Sequence, residues 1–295
     1  MKTSDILCKF IKMSNRVRFH DDFKQIQRQN TEILNTPGTE IAFVFDIDQT
    51  LYTDHKLNKA EEEHLDRVKH DLEVKHNFTE PINWKEEFKK AGSSKIFLKK
   101  RFNMSLKEVS DYWEFKDFKK YLKPDYELKK KIDRIKGVKI CFTNGMKGRA
   151  EEILRLLGLT DCFTYILCAD DEEEDYYLKP NEKAFEFVED FLGIYSMPET
   201  AKNIMFFDDS SDNIKTAKKQ GWDAYPVESV DHVKKRLDIL YGLQSGKTAL
   251  SEALTMMMIT DNLTISLLQK LMKSTSAAKF SLNNDIRQNP CIAST

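Results

Sequence analysis

The sequence predicts an α/β fold: a Rossmann-like parallel sheet with helices on both faces and a small α-helical cap inserted after the first strand. Three observations predict it. Short apolar, β-favouring runs alternate with amphipathic helical stretches. A charged block from residue 54 to 120, with no buried-strand pattern, interrupts that alternation after the first run. Polar residues able to do chemistry stand where the apolar runs end, which is where open α/β sheets bind ligands.

In chain order, residues 1–38 read as a polar N-terminal extension closing on the turn "NTPGTE". Ile41 to Phe45, "IAFVF", is short and apolar throughout, as in a strand covered on both faces. The cap follows at 54–120, with "LNKAEEEHLDRVKHDLEVKH" and "SLKEVSDYWEFKDF" its clearest helical stretches. "LKPDYELKKKIDRIKG" predicts a helix with Pro124 in its first turn and Gly137 at its end. "VKICF" is the second strand, "KGRAEEILRLLGL" a helix stopped at Gly158, and "FTYILCA" the third strand. "NEKAFEFVEDFLGI" is helical, "NIMFF" the fourth strand, "SDNIKTAKKQG" a helix and "WDAYPV" a short strand. The core is thus expected at 39–53 and 121–235, and a C-terminal helical extension with a flexible tail at 236–295.

Composition sets bounds. The 295 residues are 40% hydrophobic, enough for a sizeable core, and 47 Lys+Arg against 48 Asp+Glu leave no global charge to attract a nucleic acid polymer. Five cysteines, an odd number without a CxxC pair, argue against a disulfide framework or a zinc site and for a reducing compartment. The first residues lack the apolar run of a secretory signal, and "ALTMMMITDNLTISLLQKLM" is broken by Asp261, Asn262 and Lys270. The expectation is therefore no transmembrane segment, a cytoplasmic or nuclear location, and a C-terminal amphipathic helix suited to protein or self-association. "GLQSGKTAL" imitates a phosphate-binding loop, but it has three residues between its glycines where the motif needs four. It also follows a helical pattern rather than a strand, and reads as a loop between helices.

The strand ends carry the chemistry. Asp46 and Asp48 follow the first strand, and residues i and i+2 of an extended segment point the same way, so both can face one crevice. Asp is equally at home in turns. Thr143, Asn144 and Gly145 follow the second strand, where a hydroxyl and backbone N–H groups can cradle a phosphate. Lys179 and Pro180 follow the third, after an acidic loop at 170–175. Asp208 and Asp209 follow the fourth, and two adjacent acids there suit a hard cation such as Mg2+ or a helix N-cap, the latter reading fitting Asp212.

DxDxT, TNG, KP and DD in that order resemble the haloacid dehalogenase (HAD) superfamily of phosphatases, over roughly Ile41 to Val230. "FDIDQTLY", "LKPDYELKKKI", "CFTNG", "LKPNEKAF" and "FFDDSSDNI" look like its pyrimidine 5′-nucleotidase branch, with Gln49 where Asn or another small or polar residue is more usual. The resemblance implies a Mg2+-dependent phosphomonoester hydrolase. In it Asp46 is the nucleophile, Asp48 the general acid and base, and Asp46, Asp48 (through its carbonyl) and Asp209 the metal ligands, with Asp208 a second candidate. Lys179, Thr143 and amides near Asn144 complete an anion clamp. The implied substrate is UMP or CMP; lysophosphatidate or a sugar phosphate is the alternative, and a catalytically silent binding protein a more distant one. A dehalogenase proper fits poorly, since it needs neither the metal nor an acid at Asp48. For the cap, Phe97, Phe102, Tyr112, Trp113, Lys99 and Arg101 are the aromatic and cationic groups able to stack on a base or hold a polar head.

Overall fold

The computed structural model describes residues 41–78, 80–91, 93–168, 178–193 and 203–245, with the backbone of 17–18. Its sheet contains β1 (Val17–Arg18), β2 (Ala42–Phe45), β3 (Val138–Phe142), β4 (Tyr165–Leu167), β5 (Ile204–Asp208) and β6 (Asp223–Pro226) in the spatial order β1-β4-β3-β2-β5-β6. Strands β2 to β6 run parallel, and β1, from the N-terminal extension, pairs antiparallel with β4. Side chains alternate between the two faces, as strand geometry requires. Phe43, Phe45, Cys141, Ile166 and Phe207 enter one core, while Val44, Ile140, Phe142, Tyr165 and Phe206 enter the other. Both faces are apolar because both are covered, which is why the strands read as continuous apolar runs.

The cap consists of α1 (His55–Lys75), α2 (Trp84–Ala91), α3 (Ser94–Phe102) and α4 (Leu106–Glu108), the last running into a π-helical turn at Val109–Trp113. Asp54 caps α1 by accepting from the amides of Lys56 and Leu57, and Ser93 caps α3 through that of Ile96. The stretch expected as one helix to residue 118 instead breaks at Glu114, whose backbone is extended, and resumes as a 3-10 turn at Phe118–Lys120.

The core helices are α5 (Tyr126–Arg134), α6 (Lys147–Leu157), α7 (Glu182–Phe191), α8 (Ser211–Lys219) and α9 (Val230–Ser245). Pro124 precedes α5 rather than opening it, because the Asp125 side chain takes the N-cap position on the Leu128 amide. Gly137 does not end that helix, which stops at Ile135. It leads into β3 with φ +138°, where a Cβ would lie 2.2 Å from the Ile41 carbonyl oxygen. α6 does end at Gly158, in the left-handed region. Ser210, not Asp212, caps α8; Asp212 is exposed in the first turn and pairs with Lys215.

α9 runs through residue 235, the boundary drawn from sequence, and carries the core onward to Ser245. Leu237 and Leu240 are fully buried in the first core, Asp238 pairs with Arg134 at 2.8 Å, and Gln244 bonds the backbone of Lys136. Gly242, of the false phosphate-loop motif, lies within this helix. The acidic loop, the C-terminal amphipathic stretch and the tail lie outside the described residues. Among the described residues, no helix is long and apolar enough to cross a membrane.

Leu240→Ala should lower unfolding stability by about 2–5 kcal/mol, read from the urea midpoint. Truncation after residue 235 removes both buried leucines and should abolish the cooperative transition. A truncated chain that melts like the full one would show that α9 contributes little.

Candidate active site

The register of the sheet builds the site. Phe45 stands opposite Cys141 on one side and Phe207 on the other, so β2, β3 and β5 end together at one edge. Asp46 continues β2 by donating its amide to the Phe207 carbonyl at 2.8 Å, and Thr143 continues β3 through the Leu167 carbonyl at 3.0 Å. Asp46, Thr143 and Asp208 therefore meet over the carboxyl ends of the strands.

Lys179 lies among them, 2% exposed. Its ammonium donates to Asp46 Oδ1 at 2.8 Å, Asp208 Oδ2 at 2.7 Å and the Phe142 carbonyl at 2.6 Å. Three acceptors use all three of its protons. Although burial opposes the charge, Asp208 and Asp46 hold the lysine above its ordinary range. Asp46 goes the other way. Burial, then repulsion from Asp208 and Asp48, pushes it well above the usual carboxylate range despite Lys179.

Asp208, fully buried, is held by donors on both of its oxygens. Oδ1 accepts from the Ser210 amide at 2.8 Å and from Asn213 Nδ2 at 2.9 Å, while Oδ2 accepts from Lys179 and from Asn213 at 3.0 Å. Asn213 is thus a donor that fixes this acid. Asp209 stands at the exposed rim with its carboxylate turned toward its neighbours. Loss of water around it, then repulsion from Asp208, pushes it up to about 6.

The residues fit a hard cation. One carboxylate oxygen each from Asp46, Asp208 and Asp209 lie within 4.8 Å of one another. A single ammonium does not balance three acids, and all-oxygen donors suit Mg2+.

Asp48 is held differently. Its Oδ1 accepts from Tyr52 Oη at 2.7 Å and from Arg149 Nε and Nη2 at 3.1 and 2.6 Å. These partners outweigh burial and keep Asp48 below the usual carboxylate range. Arg149 Nη2 also donates to Glu61 of α1 at 2.7 Å. Sequence reasoning missed Arg149, Tyr52 and Glu61. Arg149 sits within "KGRAEEIL", where an arginine on a helical face carries no signal of its own.

Asn144 works through Lys179. Its side chain donates to the Lys179 carbonyl at 2.7 Å and accepts from the Lys179 amide at 2.9 Å, which leaves the amide group engaged rather than turned to a substrate. Thr143 Oγ1 accepts from the Gly145 amide at 2.9 Å and keeps its own proton to donate.

The cap residues singled out from sequence lie elsewhere. Phe97, Phe102 and Trp113 pack with Trp84, Leu72 and Val109 as the cap's own core. Tyr112 is exposed, and Arg101 lies over the Phe78 ring. Lys95, not foreseen, reaches across the seam to the Asn144 carbonyl and lies 3.9 Å from Glu114. Gln49 exchanges two hydrogen bonds with Asn58 of α1.

This sheet, with acids at two adjacent strand ends and a lysine between them, belongs to a recognisable class. The family model for haloacid dehalogenase-like hydrolases matches residues 42–221, well over half of the chain, and the protein belongs to that family. Phosphate metabolism protein 8 of Saccharomyces cerevisiae is 30% identical over 195 residues, covering 61% of this chain and 59% of the yeast protein. The match thus spans about three fifths of that relative's length. Solved structures with a similar fold include the magnesium-bound HAD-hydrolase YfnB of Bacillus subtilis, at 17% identity, TM-score 0.40, 68% of this chain and 99% of that one. Another is L-2-haloacid dehalogenase from Xanthobacter autotrophicus, at 15% identity, TM-score 0.40, 78% of this chain and 87% of that one.

Two outcomes follow from the charges. Lys179→Met leaves buried carboxylates without their partner and should cost about 3–5 kcal/mol by urea unfolding; a stability within error of wild type would show that the pair is dispensable. Asp209 binds its proton more tightly folded than unfolded. Metal-free protein should therefore lose stability as pH rises from about 4 to about 6. Asp209→Asn removes that loss, so its gain in Tm should be largest above pH 6 and fade toward pH 4. A gain independent of pH would contradict this.

Proposed function

We propose that the protein hydrolyses phosphomonoesters through an aspartyl-phosphate on Asp46, and that its preferred substrates are pyrimidine nucleoside 5′-monophosphates, UMP or CMP. The observation that carries the reading is the buried Lys179 ammonium shared by Asp46 and Asp208 beside the Thr143 turn.

In the first step an Asp46 oxygen attacks phosphorus. The bond from phosphorus to the ester oxygen breaks, its electron pair stays with that oxygen, and Asp48 gives the oxygen a proton. Alcohol leaves and an acyl phosphate remains. In the second step water attacks phosphorus, Asp48 takes its proton, and the bond to Asp46 breaks to release phosphate. Asp48 is ionised in the free site, and a bound phosphate dianion raises its proton affinity so that it enters the first step as the acid; the proton taken from water restores that form. Lys179 orients Asp46, and with Thr143 it offsets charge on the phosphoryl oxygens. Asp46, the Asp48 carbonyl and Asp209 would hold Mg2+, with Asp208, held by donors on both of its oxygens, serving to anchor Lys179. The ion would favour the ionised Asp46 that the attack needs, screen carboxylate from phosphate and stabilise charge in the transition state.

Support for a substrate class comes from the cap. Polar cap groups joined to the surroundings of Asp48 include Asn58, Glu61 and Lys95, beside the Phe118 ring over Arg149, and this supports a nucleoside or sugar phosphate over the acyl chain of lysophosphatidate. The aromatic rings first considered for stacking are committed to the cap core. Base recognition is therefore assigned to hydrogen bonds rather than to a ring platform. The narrower pyrimidine choice rests on the resemblance of the motifs and is compatible with a relative named for phosphate metabolism.

A panel of phosphomonoesters compared by kcat/KM tests both levels. UMP and CMP should exceed AMP, GMP, sugar phosphates and lysophosphatidate. A different winner would change the substrate and leave the reaction standing, whereas no hydrolysis of any monoester with Mg2+ present would remove the reaction itself. Asp46→Asn should abolish turnover while remaining folded, and EDTA should reversibly silence the wild type.

A further inference from the structure

We propose that Arg149 is a positioning residue: it selects which oxygen of Asp48 transfers the proton, and through Glu61 it makes that selection depend on the cap. The inference rests on the reading of Asp48 as the proton-transfer group.

Three donor atoms converge on one oxygen of Asp48. Tyr52 Oη, Arg149 Nε and Arg149 Nη2 all point at Oδ1. None of these donors is on Oδ2, which borders the Gly145 turn: a Cβ built on Gly145 would lie 3.5 Å from it, 3.5 Å from Arg149 Cδ and 3.2 Å from Thr143 Oγ1. Gly145 belongs to the turn that closes β3, so Oδ2 looks into the space between Asp48 and the phosphate-binding turn. Oδ1 is the anchor and Oδ2 the working atom. Fixing a carboxylate this way removes its rotation about χ2 as a source of unproductive geometry.

The anchor is itself anchored to the cap. Arg149, on the first turn of α6, lies with its guanidinium 4.6 Å from the centroid of the Phe118 ring and gives Nη2 to both Asp48 and Glu61. Glu61 lies on α1, the first helix of the cap. One planar cation thus spans a core acid and a cap acid. Arginine suits this task because its fork is rigid and its charge permanent, whereas lysine presents a single point charge on a flexible stem. With Glu61 displaced, the guanidinium loses one of the partners that set its plane, and Asp48 loses its fixed orientation. Proton transfer is then efficient when the cap covers the site and impaired when it does not.

A merely structural bridge would alter stability or KM and leave the chemical step alone, so the test isolates that step. Rapid-quench measurement of the first turnover compares the best alkyl phosphate of the panel with p-nitrophenyl phosphate, whose phenolate leaves without a proton. Asp48→Asn, Glu61→Gln and Arg149→Lys are measured beside wild type, with Tm recorded for each. Glu61→Gln and Arg149→Lys should slow alkyl release on the order of 10- to 10²-fold, with KM and Tm little changed, and slow the aryl ester far less. Equal slowing of both esters, or a change confined to KM or Tm, overturns the proposal. If Asp48→Asn itself shows no difference between the two esters, the reading of Asp48 is wrong and the proposal falls with it. If Asp48→Asn shows the difference and Glu61→Gln does not, the coupling to the cap alone is refuted.

Discussion

One buried ammonium organises the carboxyl edge of this sheet. Lys179 can sit there, nearly inaccessible, because three acceptors replace the water it lost: Asp46, Asp208 and the Phe142 carbonyl. Each acceptor comes from a different one of three adjacent strands or its extension, so the lysine also measures the register between them. Slipping β2 by one residue against β5 would turn Asp46 to the other face and leave a buried charge unpaired. Asp208 takes hydrogen bonds from Asn213 and the Ser210 amide in place of water, and Asn144 holds the backbone of Lys179 in place. The polar contacts at this edge follow in sequence from that single placement.

Much of this was legible before any coordinates. The apolar runs gave the sheet because both faces are buried, and the residues just beyond them gave Asp46, Asp48, Thr143, Lys179, Asp208 and Asp209, which the fold does bring together. What could not be read was partnership. Nothing in "TNG" says that Asn144 would brace Lys179 35 residues away, or that Asp208 rather than Asp209 would be enclosed by donors. Local patterns also misjudged ends. Asp125 outcompetes Pro124 for the start of α5 because a side-chain acceptor satisfies an amide that proline cannot, and α9 crosses residue 235 because Leu237 and Leu240 continue its buried stripe.

The cap shows the same limit in a different form. Its aromatic residues suggested a stacking surface, yet the insert is small and must build its own core. Trp84, Phe97, Phe102 and Trp113 are used for that, with ring pairs such as Trp84 and Phe102 stacked at 5.8 Å. Val68, Leu72, Leu98 and Val109 fill the rest of that small core. Aromatic content in such a block is therefore evidence about stability first, and the residues that reach the site are the polar ones that composition hides.

That division has an energetic consequence. The cap has an apolar core of its own, and its seam with the sheet domain carries contacts of both kinds: Leu57 and Phe118 are buried in the first core, while Lys95 on the Asn144 carbonyl, Glu61 on Arg149 and Asn58 on Gln49 are polar. Apolar contacts lose their full transfer free energy on separation, about 25 cal/mol per Å2 exposed. Polar partners near solvent exchange one another for water at a net cost nearer 0.5–1.5 kcal/mol each, by order of magnitude. Parting the cap from the core would therefore cost mainly the burial of Leu57 and Phe118, with the polar contacts adding less. The apolar contacts thus hold the cap in place, and the polar ones beside them set, through Glu61 and Arg149, how the Asp48 carboxylate is oriented.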